Sequence, residues 1–397
     1  MALAKRTAQI SSSLTLAITA MAKKMKAEGI DVVGFGAGEP DFNTPEYIIE
    51  AAKEALDKGF TKYTANSGMP QLKEAICQKF LRDNGLKYEP SQIIVSNGAK
   101  HSLYNAMLAL VDQGDEVIIP APYWLTYPEL VKMCDGTPVI VDTQEDGFKL
   151  TPEKLKKAIT PKTKAIIINS PSNPSGVVYT KEELWALAEV LENTDIYVIS
   201  DEIYEKLIYD GYKHYSIASY SPKLYKQTIV VNGVSKTYSM TGWRVGYLAA
   251  DKEIVQAIDK MQSHSTSNAC SISQYATVRA LNAESSEFLE KMLKTFDERR
   301  KLIVDFVNSS PYLWCPEPKG AFYVMVNISK IFGKSIDGQV INSAQRAAEL
   351  MLQYAKVAVV PCESFGAPEF IRLSYATSKE EIQKGLQRLQ EFLEKVE

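Results

Sequence analysis

Lys236 stands in the run "NGVSKTYSMTGWRVGY", residues 232–247, framed by small, hydroxylated and aromatic residues, with a second cation, Arg244, eight positions on. A single lysine is ordinarily a solvated surface residue. Two cations held close need an anion between them, or a lysine that is not charged. Other groups able to do chemistry follow apolar runs that read as strands, and in open α/β sheets ligands collect at the carboxyl ends of strands. After residues 92–96, Gly98 and Ala99 lead into a helix. Free amides at a helix start suit a phosphate, although a plain glycine-initiated helix has the same pattern. Lys100 falls in that helix's first turn, against the dipole, so solvent or an anion must offset it. After 116–120, Trp124 can cover a flat ring or simply pack. After 164–169, Asn173 lies between Pro171 and Pro174, as a rigid presenter of an amide or as a structural turn. After 196–200, Asp201 ends a strand and wants a cationic partner, with Tyr204 three residues on; alone, the pair reads as a structural hydrogen bond.

One cofactor uses all of these groups. Pyridoxal 5′-phosphate needs an amine for its aldehyde and a carboxylate to keep its ring nitrogen protonated, which makes the ring an electron sink. It also needs donors for its phenolate oxygen, an aromatic cover and a phosphate cradle. Lys236 supplies the amine, Asp201 the carboxylate, and Asn173 and Tyr204 the oxygen donors. Trp124 supplies the cover, and the Gly98–Ala99 amides with Arg244 supply the cradle. The anion beside Arg244 is then the cofactor phosphate, and Lys236 is not a free ammonium because it is joined to the cofactor.

These residues need a scaffold. Seven apolar runs read as strands, at residues 92–96, 116–120, 137–141, 164–169, 196–200, 228–232 and 245–250. Most are continuously apolar, as strands buried on both faces are. Helical patterns such as "HSLYNAMLALVDQG" and "KEELWALAEVLEN" separate several of them, the signature of an open, mainly parallel sheet. The last two runs are too close for a helical crossover and must pair antiparallel. In "NTPEYIIEAAKEALDKGF", Thr44 reads as a helix cap, Pro45 as the first helical residue and Gly59 as the stop. The text turns helical and charged from about residue 253 and closes with "GAFYVMVNIS", "VAVVPCESFG", "EFIRLSYATS" and an amphipathic helix. The expected fold is α/β: a three-layer domain with a seven-stranded, mainly parallel sheet containing one antiparallel strand, plus a smaller α+β domain. Residues 1–45 are assigned to an N-terminal arm and part of the small domain, 46–295 to the large cofactor-binding domain and 296–397 to the small C-terminal domain.

A length of 397 residues favours two domains over one core. The net charge of −3 carries no broad basic excess, which argues against a nucleic-acid partner. Five cysteines, far apart and without ligand spacing, read as free thiols in a reducing compartment. Three histidines without metal spacing argue against zinc chemistry. The first 29 residues read as an amphipathic helix rather than a signal peptide, and no run approaches the ~20 apolar residues of a membrane span. The expected location is the cytoplasm.

The pieces "GAGEPDFNTP", "KYTANSGMPQLKEAI", "SNGAKHSLYN", "PYWLTYPE", "NSPSNPSGVVY", "SDEIYEKLIYD", "VSKTYSMTGWRVGY" and "FIRLSYATS" run almost end to end. In them the chain resembles fold-type I pyridoxal phosphate enzymes and, more narrowly, bacterial-type aspartate aminotransferases of the class I/II family. The resemblance implies more site residues. Gly38 is the backbone contact to the substrate α-carboxylate, and Arg372 is its clamp. Tyr63 reaches the phosphate in the neighbouring subunit's site, so a homodimer with shared sites is implied. Trp124 and Asn173 also border the substrate, and Lys100 with Thr15 binds its distal group. Some of the related enzymes that accept prephenate carry an additional N-terminal lysine, where this chain has Ser11 or a neighbour. The resemblance places a sharp turn with a cis peptide at Asn173–Pro174.

The implied reaction is amino transfer between aspartate and 2-oxoglutarate, with Lys236 moving the α-proton. Runners-up are an aminotransferase for aromatic, branched-chain or prephenate/arogenate substrates, then a lyase using the same cofactor. A non-catalytic regulator that kept the fold is the alternative of a different class.

Overall fold

Runs of valine and isoleucine place the strands of the computed structural model, which describes residues 3–11, 14–283 and 286–397, without the side chains of residues 5, 6, 14–17 and 19. In chain order the strands are β1 (Val33–Gly34), β2 (Ile93–Ser96), β3 (Glu116–Ala121), β4 (Thr137–Asp142), β5 (Thr163–Asn169), β6 (Tyr197–Asp201) and β7 (Thr228–Gly233). They continue with β8 (Gly246–Ala249), β9 (Tyr323–Asn327), β10 (Ser335–Ile336), β11 (Gln339–Val340), β12 (Val357–Ala358), β13 (Val360–Pro361) and β14 (Phe370–Ser374).

The seven runs read from the sequence are β2 to β8, and they form one sheet in the order β2-β8-β7-β6-β5-β3-β4. β3 pairs parallel with β4 and β5, and β6 pairs parallel with β5 and β7. β8 is the one reversed strand, antiparallel to both β2 and β7. The connection from β7 to β8, residues 234–245, is too short for a helical crossover. Successive residues of each strand enter opposite layers. Ala165 and Ile167 of β5 pack with Leu103 and Met107 of the helix Ala99–Leu110, whereas Ile166 and Ile168 pack with Leu184 and Leu187 of the helix Lys181–Glu192. That alternation builds three layers from one set of strands.

The carboxy-terminal part holds the antiparallel sheet β13-β14-β9. The helices Glu287–Ser309 and Lys379–Glu394 cover it through Phe296, Ile303, Leu386 and Leu389. The amino-terminal segment joins the same part, because β1 pairs parallel with β12. Thr44 departs from its expected role. The helix Glu46–Asp57 has Pro45 at its cap and no capping side chain. The Thr44 hydroxyl instead donates to Ser239 O at 2.8 Å and accepts from Trp243 Nε1 at 2.9 Å. Gly59, at φ +69°, ends the helix as read. The five cysteines form no disulfide with one another, and among the described residues no helix is long and apolar enough to cross a membrane.

Candidate active site

β2, β3, β5, β6 and β7 all end on the same edge of the sheet, and a cavity of about 690 Å³ opens there. The segments after those strands bring Gly98–Lys100, Trp124, Asn173, Asp201–Tyr204 and Lys236 together, and β14 adds Arg372. Among the described residues, Lys23, Lys26, Lys100, Lys236, Arg244 and Arg372 line the cavity against two carboxylates, Glu39 and Asp201, so its field favours an anionic occupant.

Backbone packing makes one end of the cavity. The helix Ala99–Leu110 begins at Gly98 with no capping side chain, leaving its first amides to another acceptor. Gly98 sits at φ +84°, and a Cβ there would overlap the Arg244 guanidinium. A Cβ on Gly246 of β8 would overlap the Gly98–Ala99 backbone itself. Two glycines thus let a helix start, a strand and an arginine meet. Arg244 Nη1 donates to Thr241 O at 2.7 Å, and Nη2 to Asn97 O at 3.3 Å. Together they form a cationic cup of the kind that holds a phosphate.

The floor carries Asp201, only 3% exposed. Its Oδ2 accepts from Tyr127 Oη at 2.7 Å and its Oδ1 from the Ile203 amide at 3.2 Å. Sequence reasoning asked for a cationic partner; a phenol and an amide stand there instead. Burial pushes the carboxyl up to about 6, against the pull of those two bonds. Tyr204 lies in a turn rather than a helix, and its hydroxyl is 3.0 Å from that of Tyr323. Lys236 donates to the Gly38 carbonyl. Burial brings its amine down to about 8; Glu39 and Asp201 oppose that shift, and Arg372 and Arg244 add to it.

Arg372 is buried at 2% exposure, with its guanidinium 4.3 Å from the Tyr323 ring centroid. Nη1 donates to Asn173 Oδ1 at 2.9 Å, while Nε is buried with no partner among the described residues. Arg372 lines the cavity, and the planar fork of a buried guanidinium there fits a carboxylate ligand. Asn173 is further set by its amide, which donates to Asn169 Oδ1 at 2.9 Å, and the Asn173–Pro174 peptide is cis. At the rim, Lys100 Nζ stands 4.8 Å from the Trp124 ring centroid. Desolvation, then the charge of Arg244, holds its pKa below the ordinary lysine value.

Two named residues are not part of this cluster. Tyr63 is 91% exposed and does not line the chain's own cavity. Thr15 lies outside the residues whose side chains are described, in the first turn of the helix Leu14–Ala27. Sequence reasoning missed Tyr127, Tyr323 and Glu39, whose Oε2 accepts from Thr241 Oγ1 at 2.6 Å. The spacing of Tyr127 from Trp124, one helical turn, was the available signal for the first of them.

A lysine and a carboxylate with opposed pKa displacements and a cationic cup at the strand ends of such a sheet, facing a buried arginine of β14, are the features of an aminotransferase-type α/β enzyme. The chain belongs to the family described as "Aminotransferase class I and II", whose profile matches residues 30–389. It is 51% identical over 395 residues, 99% of each chain, to the aspartate aminotransferase of Geobacillus stearothermophilus. It is 49% identical over 388 residues, 97% of each chain, to the aspartate/prephenate aminotransferase of Cereibacter sphaeroides. Among solved structures, the aspartate aminotransferase of Rhizobium meliloti superposes with a TM-score of 0.96 at 44% identity over the whole of both chains. That of Thermus thermophilus with maleate superposes at 0.93 and 42%, covering 98% of this chain and 99% of that one.

Proposed function

We propose that the chain transfers an amino group between L-aspartate and 2-oxoglutarate, giving oxaloacetate and L-glutamate, with pyridoxal 5′-phosphate as cofactor. The observation that carries this reading is the pairing of Lys236 with buried Asp201 across a cavity that has the Gly98–Arg244 cup at one end and Arg372 at the other. The donor set fits the cofactor. The cup suits its phosphate, Asp201 its ring nitrogen, and Tyr204 and the Asn173 Nδ2 its phenolate oxygen. Trp124 covers its ring. When bound, the cofactor supplies an electrophilic carbon and an electron sink.

The chain's own residues do the rest. Lys236 Nζ would hold the cofactor through its aldehyde, and once freed it would take the proton from the substrate α-carbon as a base and give it back as an acid. A pKa of about 8 lets one amine act as base and as acid near neutral pH. Asp201 would stand against the ring nitrogen and keep its proton in place once the cofactor is bound. Arg372 and the Gly38 backbone grip the α-carboxylate, and Lys100 with Thr15 takes the distal one. Tyr63 completes the phosphate site of a second copy, so the working form is a homodimer, and we place it in the cytoplasm.

The Geobacillus relative supports aspartate as donor. The Cereibacter relative supports a second reading, in which prephenate is also an acceptor. Ser11, near where the extra lysine of such enzymes falls, has its amide 3.0 Å from Glu129 Oε2. Steady-state rates decide. Aspartate with 2-oxoglutarate is expected to be the fastest pair tested against tyrosine, alanine and arogenate as donors and prephenate as acceptor. A comparable rate with prephenate supports the second reading, and ammonia release without a keto acid points to a lyase.

A further inference from the structure

We propose that His214 is a positioning residue for the turn that carries Asp201 and Tyr204, acting through Glu202; this rests on the cofactor reading above. Asp201 and Glu202 are consecutive and both buried, so their side chains leave the end of β6 on opposite faces. Asp201 faces the cavity. Glu202 faces a buried polar cluster behind it, in which His214 Nδ1 has no partner among the described residues. Its Oε1 accepts from Ser200 Oγ at 2.8 Å and Ser216 Oγ at 2.6 Å, and its Oε2 is 2.9 Å from His214 Nε2. The pattern repeats three residues on, where Glu205 is paired with buried Lys79 and accepts from Asn84 Nδ2 at 3.0 Å. Residues 201 and 204 thus look into the site while 202 and 205 are anchored at the back. Ligand atoms of Glu202, Glu205 and His214 lie within 4.8 Å of one another, a spacing that suits a cation. The Lys79 ammonium already serves as the cation for Glu205.

The link to function is one peptide long. The Ile203 amide that donates to Asp201 Oδ1 belongs to the peptide carrying the Glu202 carbonyl. A Glu202 side chain left without its imidazole partner must find another donor, because a buried carboxylate short of hydrogen bonds is costly. Any shift it makes turns that peptide, and with it the Asp201 carboxylate that must meet the ring nitrogen. Shifts of an ångström at such a group are enough to cost activity.

The test uses the holoenzyme. Wild-type binding of pyridoxal 5′-phosphate, titrated first by fluorescence, tests the cofactor reading itself; the variants then test the network. For His214→Leu, the cofactor Kd is expected to rise and the kcat for aspartate to fall by about ten-fold each, with KM for aspartate within about two-fold. The visible band of the bound cofactor should move as well. His214→Gln, which keeps a donor within reach of Glu202, should recover most of both losses. Unchanged cofactor affinity, kcat and band in a merely less heat-stable His214→Leu protein would overturn the proposal. If His214→Leu does not fold, Ser216→Ala decides, since it deletes one donor to the same carboxylate. A rise of about three-fold in cofactor Kd supports the network, and no change refutes it.

Discussion

Asp201 is held at about 6 by burial, and that choice costs the protein stability for the sake of the site. Its folded pKa lies above the unfolded value of 3.8, so the folded state binds the proton more tightly. The sign follows. Below about 4 both states are protonated and Asp201 costs nothing extra, while stability falls as pH rises from there through about 6. Asp201→Asn should therefore stabilise the cofactor-free protein at pH 7–8, on the order of 2 kcal/mol, and leave it unchanged at pH 4. Thermal melts at the two pH values check this, and the same variant should fail to retain the cofactor. Lys100 makes the opposite sort of sacrifice. It stands against a helix dipole and beside Arg244, so it needs an anion, and the cup already serves the phosphate. On the proposed function, the distal carboxylate of a dicarboxylic substrate would give it about 1.5–3 kcal/mol through a charge-assisted bond. Lys100→Ser should lower kcat/KM for aspartate by roughly one to two orders of magnitude, and for alanine much less. Equal losses on both substrates would assign Lys100 to the cofactor or the fold.

At the scale of elements, the cup depends on how closely β8 approaches the start of the helix Ala99–Leu110. Gly246→Ala puts a methyl group into the Gly98–Ala99 backbone, and backbone cannot swing aside as a flexible side chain would. The helix start must move away from Arg244. We expect a destabilisation of about 1–3 kcal/mol and a cofactor affinity lowered at least about ten-fold, measured by denaturant melts and cofactor titration. Most strands of the large sheet were legible because both their faces are buried, which favours continuous valine and isoleucine; the edge strand β4 is partly exposed instead. The groups at their ends were legible because an open sheet delivers ligands there. Tyr127 and Tyr323 were not, because each acquires its role from a partner distant in the chain, Asp201 at 74 residues and Tyr204 at 119. Thr44 was misread for the same reason. Its local sequence is a good cap, but Ser239 and Trp243, almost 200 residues away, claim its hydroxyl.

For the molecule as a whole, the informative residue is the one the single chain leaves unused. Tyr63 exposes 91% of its surface although it precedes a well-packed helix, Pro70–Asn84. An aromatic ring so placed suits a contact with a second copy, and the proposed function puts its hydroxyl at that copy's cationic cup. Sedimentation should give a particle of twice the chain mass. Tyr63→Phe should leave that mass unchanged while raising the cofactor Kd by several-fold, about what one hydrogen bond to a charged group is worth. A monomer retaining full cofactor affinity would remove Tyr63 from the site.

A half-reaction separates amino transfer at Lys236 and Asp201 from elimination or mere binding. The purified holoenzyme is mixed with L-aspartate and no keto acid, and both cofactor and products are counted. One oxaloacetate per site is expected, with an equal amount of pyridoxamine phosphate, no ammonia, and no conversion at all by Lys236→Ala. Ammonia with continued turnover, or an unchanged cofactor in the wild type, would rule amino transfer out.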